Sequence, residues 1–443
     1  MSRTPRQVAC DVTADIREND TYSNLVLPSA ISDAGLSSRD AADATSMTYG
    51  CARWRGFIDA VLGFVMDRPI SAVDGEAIDI LRLGTFELLV NSEPPHVVNE
   101  WVQLAKVNVP RATGFVNATL RAVSRLSAEQ WRNKIEHSLS GAQQTVALTS
   151  HPEWIVRSYE EVLGVAETRE LIDVNNTPAI PVMVALPGLA QVPRDAVRGE
   201  ISPFAFSAPQ GNISTTPGLR EGRVRVQDEG SQIAAILLAR AAEIAPGEQW
   251  LDLCAGPGGK SALLAALLTP HSGILWANEP HAHRAELVRQ ALTPFGDSIR
   301  VTEHDGRYVA RELPVAFSRV LVDAPCSGIG ALRRRPEARW RKHEEDLVDL
   351  TRLQTELLES ALGAVEVGGL VAYVTCSPDT RETVDVVATV IGRRTDAELI
   401  DTSHVLDSIA PEINGARRGT AVQLWPQRHN TDAMFIQLVR RTG

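Results

Sequence analysis

The stretch Asp252-Leu-Cys254-Ala-Gly256-Pro-Gly258-Gly259-Lys260-Ser261 joins a short apolar run, Gln249–Cys254, to a helical one, Ser261–Leu268. A strand that breaks into a glycine-rich turn and re-emerges as a helix is the opening unit of a parallel α/β sheet. Two phosphate-binding motifs compete for this turn, and neither is complete. A loop ending in Gly-Lys-Ser needs a glycine five residues before Gly259, and position 254 is cysteine. A dinucleotide fingerprint counted from Gly256 needs glycine or alanine at position 261, which is serine.

The alternation continues outward. Strands are predicted at Ile274–Glu279, Ile299–Asp305, Arg319–Asp323 and Leu370–Thr375, and helices at His281–Leu292, Glu344–Val365 and Arg381–Ile391. Two last strands, Ala421–Trp425 and Ala433–Val439, flank a polar turn and predict a hairpin that adds an antiparallel strand. The expected fold is a doubly wound α/β domain, residues 223–443, with a mostly parallel sheet of seven strands.

In such a sheet ligands bind beyond the carboxyl ends of the strands. Every strand end here carries polar or reactive groups. The first delivers Cys254, Ala255, Gly256, Pro257, Gly258, Gly259 and Lys260. The second ends on Glu279 and the third on Asp305; the fourth leads into Asp323-Ala-Pro-Cys326-Ser-Gly328 and the fifth into Thr375-Cys376-Ser377. A carboxylate at Glu279 can accept both hydroxyls of a ribose, and Asp305 can face an adenine amino group. A nucleoside held without a phosphate cradle suits S-adenosylmethionine. The competing reading of Glu279 and Asp305 is a pair of turn or helix-cap residues.

Residues 1–135 read as an all-α bundle, with helical periodicity in Ala41–Val65, Ala77–Val90 and Val97–Val107 and breaks at Pro69 and Pro94–Pro95. Residues 136–222 read as a small α+β linker region: a helix at Glu153–Leu163, a strand at Ala179–Leu186, and a Pro-, Gly- and Ser-rich loop at Ile201–Gly222.

Composition narrows the class. The 443 residues are 44% hydrophobic and 22% charged, ordinary for a globular protein. No run of ~18 uncharged apolar residues predicts a membrane span, and no signal pattern opens the chain, so the expected location is the cytoplasm. Five cysteines, an odd count without a Cys-x-x-Cys pair or a Cys/His cluster, predict neither a disulfide framework nor a metal site. A net charge of −11 excludes a generic polyanion binder, yet Gly330–Lys342 holds six basic residues and one acid. That run is either a solvated face or, beside a catalytic site, a phosphate contact.

Cys326 and Cys376 fall in short polar turns after what would be neighbouring strands. A buried cysteine is usually an inert small hydrophobe, but a thiol beside a methyl donor has a specific use. Carbon 5 of cytosine is a poor nucleophile until a thiolate adds to carbon 6. The carbon 5 proton and the thiol must then leave, with help from a second group, and an acid must meet ring nitrogen 3. Asp323 is placed for that last task. Because an ordinary thiol is mostly protonated near neutrality, some local activation is expected.

These residues resemble the Sun-type (Nop/Nol/Sun) bacterial RNA cytosine-5 methyltransferases. The resemblance rests on Val226-Gln-Asp-Glu-Gly-Ser-Gln232, Asp252–Lys260, Asp323-Ala-Pro-Cys-Ser-Gly-Ile-Gly330 with Arg333, Arg334 and Pro336, and Thr375-Cys-Ser377. It implies a Rossmann-like class I methyltransferase domain using S-adenosylmethionine, with Cys376 as nucleophile and Cys326 assisting release. It also implies cofactor contacts at Cys254–Lys260, Glu279, Arg284, Asp305 and Asp323, the last also facing the base. The stretches Tyr49–Arg55, Leu81–Glu87 and Gly114–Arg121 resemble the NusB-type RNA-binding domain fused to family members that act on 16S ribosomal RNA. The chain departs from the family at Glu382-Thr383, Met183-Val-Ala185 and Asp432-Ala-Met-Phe435, and keeps its catalytic groups.

The implied partner is RNA, ribosomal RNA first, contacted through Arg333 and Arg334, by a monomer without metal or membrane. Transfer RNA or 23S ribosomal RNA are alternative substrates. A DNA cytosine methyltransferase would use Cys326 as nucleophile, and a non-catalytic NusB-like RNA-binding factor would need no thiol.

Overall fold

The computed structural model describes residues 3–19, 21–209, 213–313 and 315–443. They form two compact units. The first comprises the chain up to Arg157 together with Arg334–Arg341, and the second Ser158–Arg333 and Lys342–Gly443.

The first unit is helical. Its centre is the helix Gly75–Leu89, capped by Asp74, whose carboxylate accepts from the amides of Glu76 and Ala77. Every residue from Ala77 to Leu89 is buried, so the helix must bury charge on several faces. Each charge has a partner, as burial requires. Asp79 accepts from Arg17 at 2.9 Å, Arg82 donates to Asp59 at 2.7 Å, and Glu87 accepts from Arg6 at 2.7 Å and Trp101 at 2.6 Å. Phe57, Leu62, Trp101, Val116 and Leu120 pack around it.

The helical unit extends past the boundary expected at residue 135. Helices Ala128–Ser138 and Gly141–Thr149 pack on Arg55–Val65, and Trp131, Ile135 and Ala147 join the same core. The rest of the expected linker region belongs to the second unit. There β1 (Val182–Ala185), β2 (Ala205–Ser207) and β3 (Val224–Val226) form an antiparallel sheet in the order β2-β1-β3. β2 lies inside the stretch expected to be loop; of that stretch, residues 210–212 lie outside the described residues.

The large sheet contains β4 (Gln249–Asp252), β5 (Ile274–Asn278), β6 (Ile299–Thr302), β7 (Phe317–Asp323), β8 (Val365–Thr375), β9 (Ala397–Leu399), β10 (Arg417–Arg418), β11 (Ala421–Gln423) and β12 (Phe435–Arg441). Its order is β10-β11-β12-β8-β7-β4-β5-β6, with β9 beside β12. The described residues thus give nine strands, not the expected seven. The two extra ones are three and two residues long and too short to show alternation. β4 to β8 run parallel, and the predicted hairpin sets β12 antiparallel against β8.

From β4 the chain builds outward through β5 to β6, then returns to the other side of β4 for β7 and β8. The topological switch lies between β4 and β7, the place where open α/β sheets bind their ligands. No helix among the described residues is long and apolar enough to cross a membrane.

Candidate active site

The glycine turn sits at the switch. Gly258, with φ of 99°, takes a left-handed conformation that costs glycine least, and caps the helix Gly259–Leu268. At Gly256 a Cβ would press on Glu279 Oε2 and the Arg284 guanidinium, so those two side-chain ends would have to move. Arg284 donates to Gly256 O at 2.7 Å and lies 3.3 Å from Glu279 Oε2, tying the turn to the end of β5.

Glu279 is 2% exposed and accepts from the His281 amide at 3.1 Å. Asp305 accepts from the Arg307 amide at 3.0 Å and from its guanidinium, which holds the carboxyl below its ordinary value. Both residues therefore cap turns, as the competing reading had it. A cap uses part of a carboxylate's acceptor capacity and leaves the rest for a ligand.

The ends of β7 and β8 bring the two thiols together. Cys326 Sγ and Cys376 Sγ stand 3.4 Å apart, and all five cysteines are reduced. The loops carrying them are locked from behind by Glu382, a buried carboxylate. It accepts from the Ser327 amide at 2.8 Å, the Ser327 hydroxyl, and Gln354 Nε2 at 3.1 Å. Gln354 also donates to Pro325 O at 2.9 Å, and the Tyr373 hydroxyl donates to Glu382 O at 2.8 Å. Gly330 N donates to Cys376 O at 2.9 Å, and a Cβ at Gly330 would collide with that oxygen and with Ala433 O. Glu382 was noted in the sequence only for its neighbour Thr383; nothing local indicated that it joins two loops.

The hydrogen bond with Cys376, then burial, pushes the Cys326 thiol well above its ordinary value, and either sulfur can be the donor of that bond. Lys260 Nζ donates to Asp323 Oδ2 at 2.7 Å. Burial pulls on the ammonium, but Asp323 and the Cys376 sulfur outweigh it and raise Lys260 above its usual value. That sets an ammonium beside the Cys376 sulfur, and a neighbouring cation favours the thiolate form of a cysteine.

Asp252 ends β4. Burial pushes its carboxyl up to about 7, helped by Asp323 and opposed by a 2.6 Å hydrogen bond from Ser261 Oγ. A folded value above the unfolded one contributes stability at low pH that is lost as pH rises through about 7. Asp252→Asn is expected to flatten the pH dependence of the melting temperature between about pH 4 and 8. Thermal denaturation across that range checks it; a fall as steep as in the native protein would locate the loss at another group.

The basic run takes a different part from the one expected. Arg333 is 8% exposed and donates to Asn430 Oδ1 at 2.7 Å and Asn430 O at 2.8 Å, so its guanidinium is turned inward, away from a phosphate contact. Arg334–Arg341 is folded into the helical unit. Arg339 donates to Arg53 O and Ser150 O, Trp340 to Ala52 O, and Arg341 to Thr21 O. Arg334 is partly exposed. Charge density alone could not distinguish cations aimed at solvent from cations aimed at helix carbonyls. Among the described residues, no group of three or more His, Cys, Asp or Glu side chains is arranged to hold a metal ion.

Residues 239–440 match the family model for 16S rRNA methyltransferase RsmB/F, and residues 3–125 match the NusB family. Ribosomal RNA small subunit methyltransferase B of Pseudomonas syringae pv. tomato is 30% identical over 90% of this chain and 88% of its own. Rv1407 of Mycobacterium tuberculosis, named only as a methyltransferase, is 40% identical over 98% of this chain and 96% of its own. The chain belongs to the RsmB/F methyltransferase family. The crystal structure of PH0851 shares the fold along the whole of both chains, with a TM-score of 0.83 at 21% identity.

As an RsmB/F methyltransferase with a NusB domain, the protein methylates RNA and takes its methyl group from S-adenosylmethionine. The residues present fit that donor. The turn lacks side chains at Gly256, Gly258 and Gly259, and a buried carboxylate, Glu279, stands beside it.

Proposed function

We propose that this RsmB/F methyltransferase methylates carbon 5 of a cytosine in 16S ribosomal RNA through a covalent adduct on Cys376. The observation that carries the reading is the pair of sulfurs 3.4 Å apart at the ends of neighbouring strands, beside the Lys260–Asp323 ion pair. Few reactions need two thiols and a methyl donor at one site. The names of the family model and of the Pseudomonas relative favour small-subunit ribosomal RNA as the substrate.

The donor supplies an electrophilic methyl group on a sulfonium. Glu279 would hold its ribose hydroxyls and Asp305 its adenine, with Cys254–Lys260 and Arg284 shaping the floor. The Cys376 thiolate adds to carbon 6, forming a carbon–sulfur bond and moving electron density onto the ring. Asp323, bonded to the Lys260 ammonium, meets nitrogen 3 as that density arrives. Carbon 5 then takes the methyl group. A base takes the carbon 5 proton, and the electron pair left behind restores the double bond and expels the Cys376 thiolate. Cys326 assists this release from 3.4 Å away. Arg334 is the remaining candidate of the two arginines for a phosphate contact.

Cys326→Ala tests the division of labour. Incubation with ribosomal RNA and S-adenosylmethionine is expected to build up a protein–RNA adduct that survives denaturing electrophoresis and carries the transferred methyl group. Free turnover without adduct would remove Cys326 from the release step.

A further inference from the structure

The Val226–Gln232 motif has no part in the site described above, and one of its side chains lacks a partner among the described residues. Gln227 is 6% exposed. Its backbone is fixed at both ends: the amide donates to Val182 O at 2.9 Å, and the carbonyl accepts from Gln232 Nε2 at 3.0 Å. The polar side chains beside it are engaged. Asp228 accepts from Gly230 N, Thr431 Oγ1 and Asp432 N, and Glu229 from the amides of Ile201 and Ser202.

Gln227 Oε1 and Nε2, by contrast, have no partner among the described residues. A buried amide unmatched at both ends is rare in a folded protein and calls for a missing partner. The amide also lies against the glycine turn: a Cβ on Gly259 would stand 3.9 Å from Nε2 and 4.0 Å from Cδ. Gly259 opens the ten-residue helix Gly259–Leu268, and no side chain caps that helix. Its first amides favour an anion.

We infer that Gln227 binds the amino-carboxylate end of S-adenosylmethionine. Nε2 donates to the α-carboxylate, which the first amides of the Gly259–Leu268 helix also receive, and Oε1 accepts from the α-ammonium. A primary amide presents one donor end and one acceptor end a short distance apart. The amino-acid end of the donor carries one anion and one cation on a single carbon, which matches both. The inference rests on S-adenosylmethionine as donor and not on which RNA atom is methylated.

Calorimetry with two ligands tests it. S-adenosylhomocysteine carries the amino-carboxylate; 5′-methylthioadenosine keeps the adenosine and the sulfur without it. Gln227→Met is expected to weaken S-adenosylhomocysteine at least ~10-fold and to leave 5′-methylthioadenosine within about twofold of the native protein. Gln227→Glu, which loses the donor and adds a negative charge, should weaken S-adenosylhomocysteine at least as far, and carries the same comparison if the methionine variant does not fold. Unchanged S-adenosylhomocysteine affinity, or equal weakening of both ligands, would overturn the inference. So would a loss of RNA affinity with S-adenosylhomocysteine binding intact, which would assign the amide to the substrate. Native protein that binds neither ligand would instead remove the donor itself.

Discussion

Cys376→Ala is expected to lower methyl transfer to ribosomal RNA by ~10⁴-fold or more, with S-adenosylhomocysteine binding unchanged and no covalent adduct on RNA. The size of the loss follows from the chemistry, because without addition at carbon 6 the ring has no nucleophilic carbon 5 to offer. The nearest substitute is Cys326, 3.4 Å away. It is a poor one, since its bond to Cys376 and its burial both favour the thiol form. Removing Cys376 relieves the first of these and not the second. The Lys260 ammonium beside Cys376 would lose one of the charges that hold it up, while its 2.7 Å bond to Asp323 remains. Tritiated methyl incorporation and a denaturing gel provide the two readouts. Retention of more than a few per cent of the native rate would exclude Cys376 as nucleophile, and full adduct formation in the variant would transfer that role to Cys326.

Arg339→Ala is expected to destabilise the helical unit by ~3 kcal/mol or more. Arg339 is 0% exposed and donates to Ser150 O at 2.9 Å and Arg53 O at 3.2 Å. Those carbonyls lie at the carboxyl ends of helices Gly141–Thr149 and Ser38–Arg53. Such ends leave carbonyls unsatisfied and attract a cation, and one guanidinium serves both. Alanine would orphan these acceptors and leave a cavity. Burial, with Arg339 adding to it, presses the nearby His151 well below its ordinary value, and the burial remains in the variant, so His151 does not become a replacement cation. For a unit of this size the loss corresponds to a fall of about 6–12 °C in melting temperature. Lysine should not restore it, because one ammonium lacks the planar fork that reaches both carbonyls. An unchanged melting temperature for the alanine variant would mean that the contact contributes nothing net.

Much of the site was legible because it is built from strand ends. Alternating apolar runs fixed β4 to β8, and in a parallel sheet that alone brings the residues after each strand to one edge. Gly256–Lys260, Glu279, Asp305, Asp323, Cys326 and Cys376 could be gathered in this way before any contact was known. The short strands β2, β3, β9 and β10 were missed because two or three residues cannot display a period. Glu382, Gln354 and Gln227 carried no local signal. Their roles depend on burial and on partners from other elements, Glu382 meeting Ser327 across 55 positions.

The glycine-rich stretch Asp252–Lys260 and the cysteines after β7 and β8 were therefore determined by sequence alone, through periodicity and turn chemistry acting over a few residues. Tertiary structure decided what neighbours do to one another. It set the 3.4 Å approach of the sulfurs and put Lys260 on Asp323. It also turned Arg333 and Arg339 inward, onto Asn430 and onto helix ends. A sequence records which charges exist. Whether a charge meets water, a carbonyl or another charge is fixed only when distant segments fold together, because desolvation and hydrogen bonding depend on what surrounds the group in space.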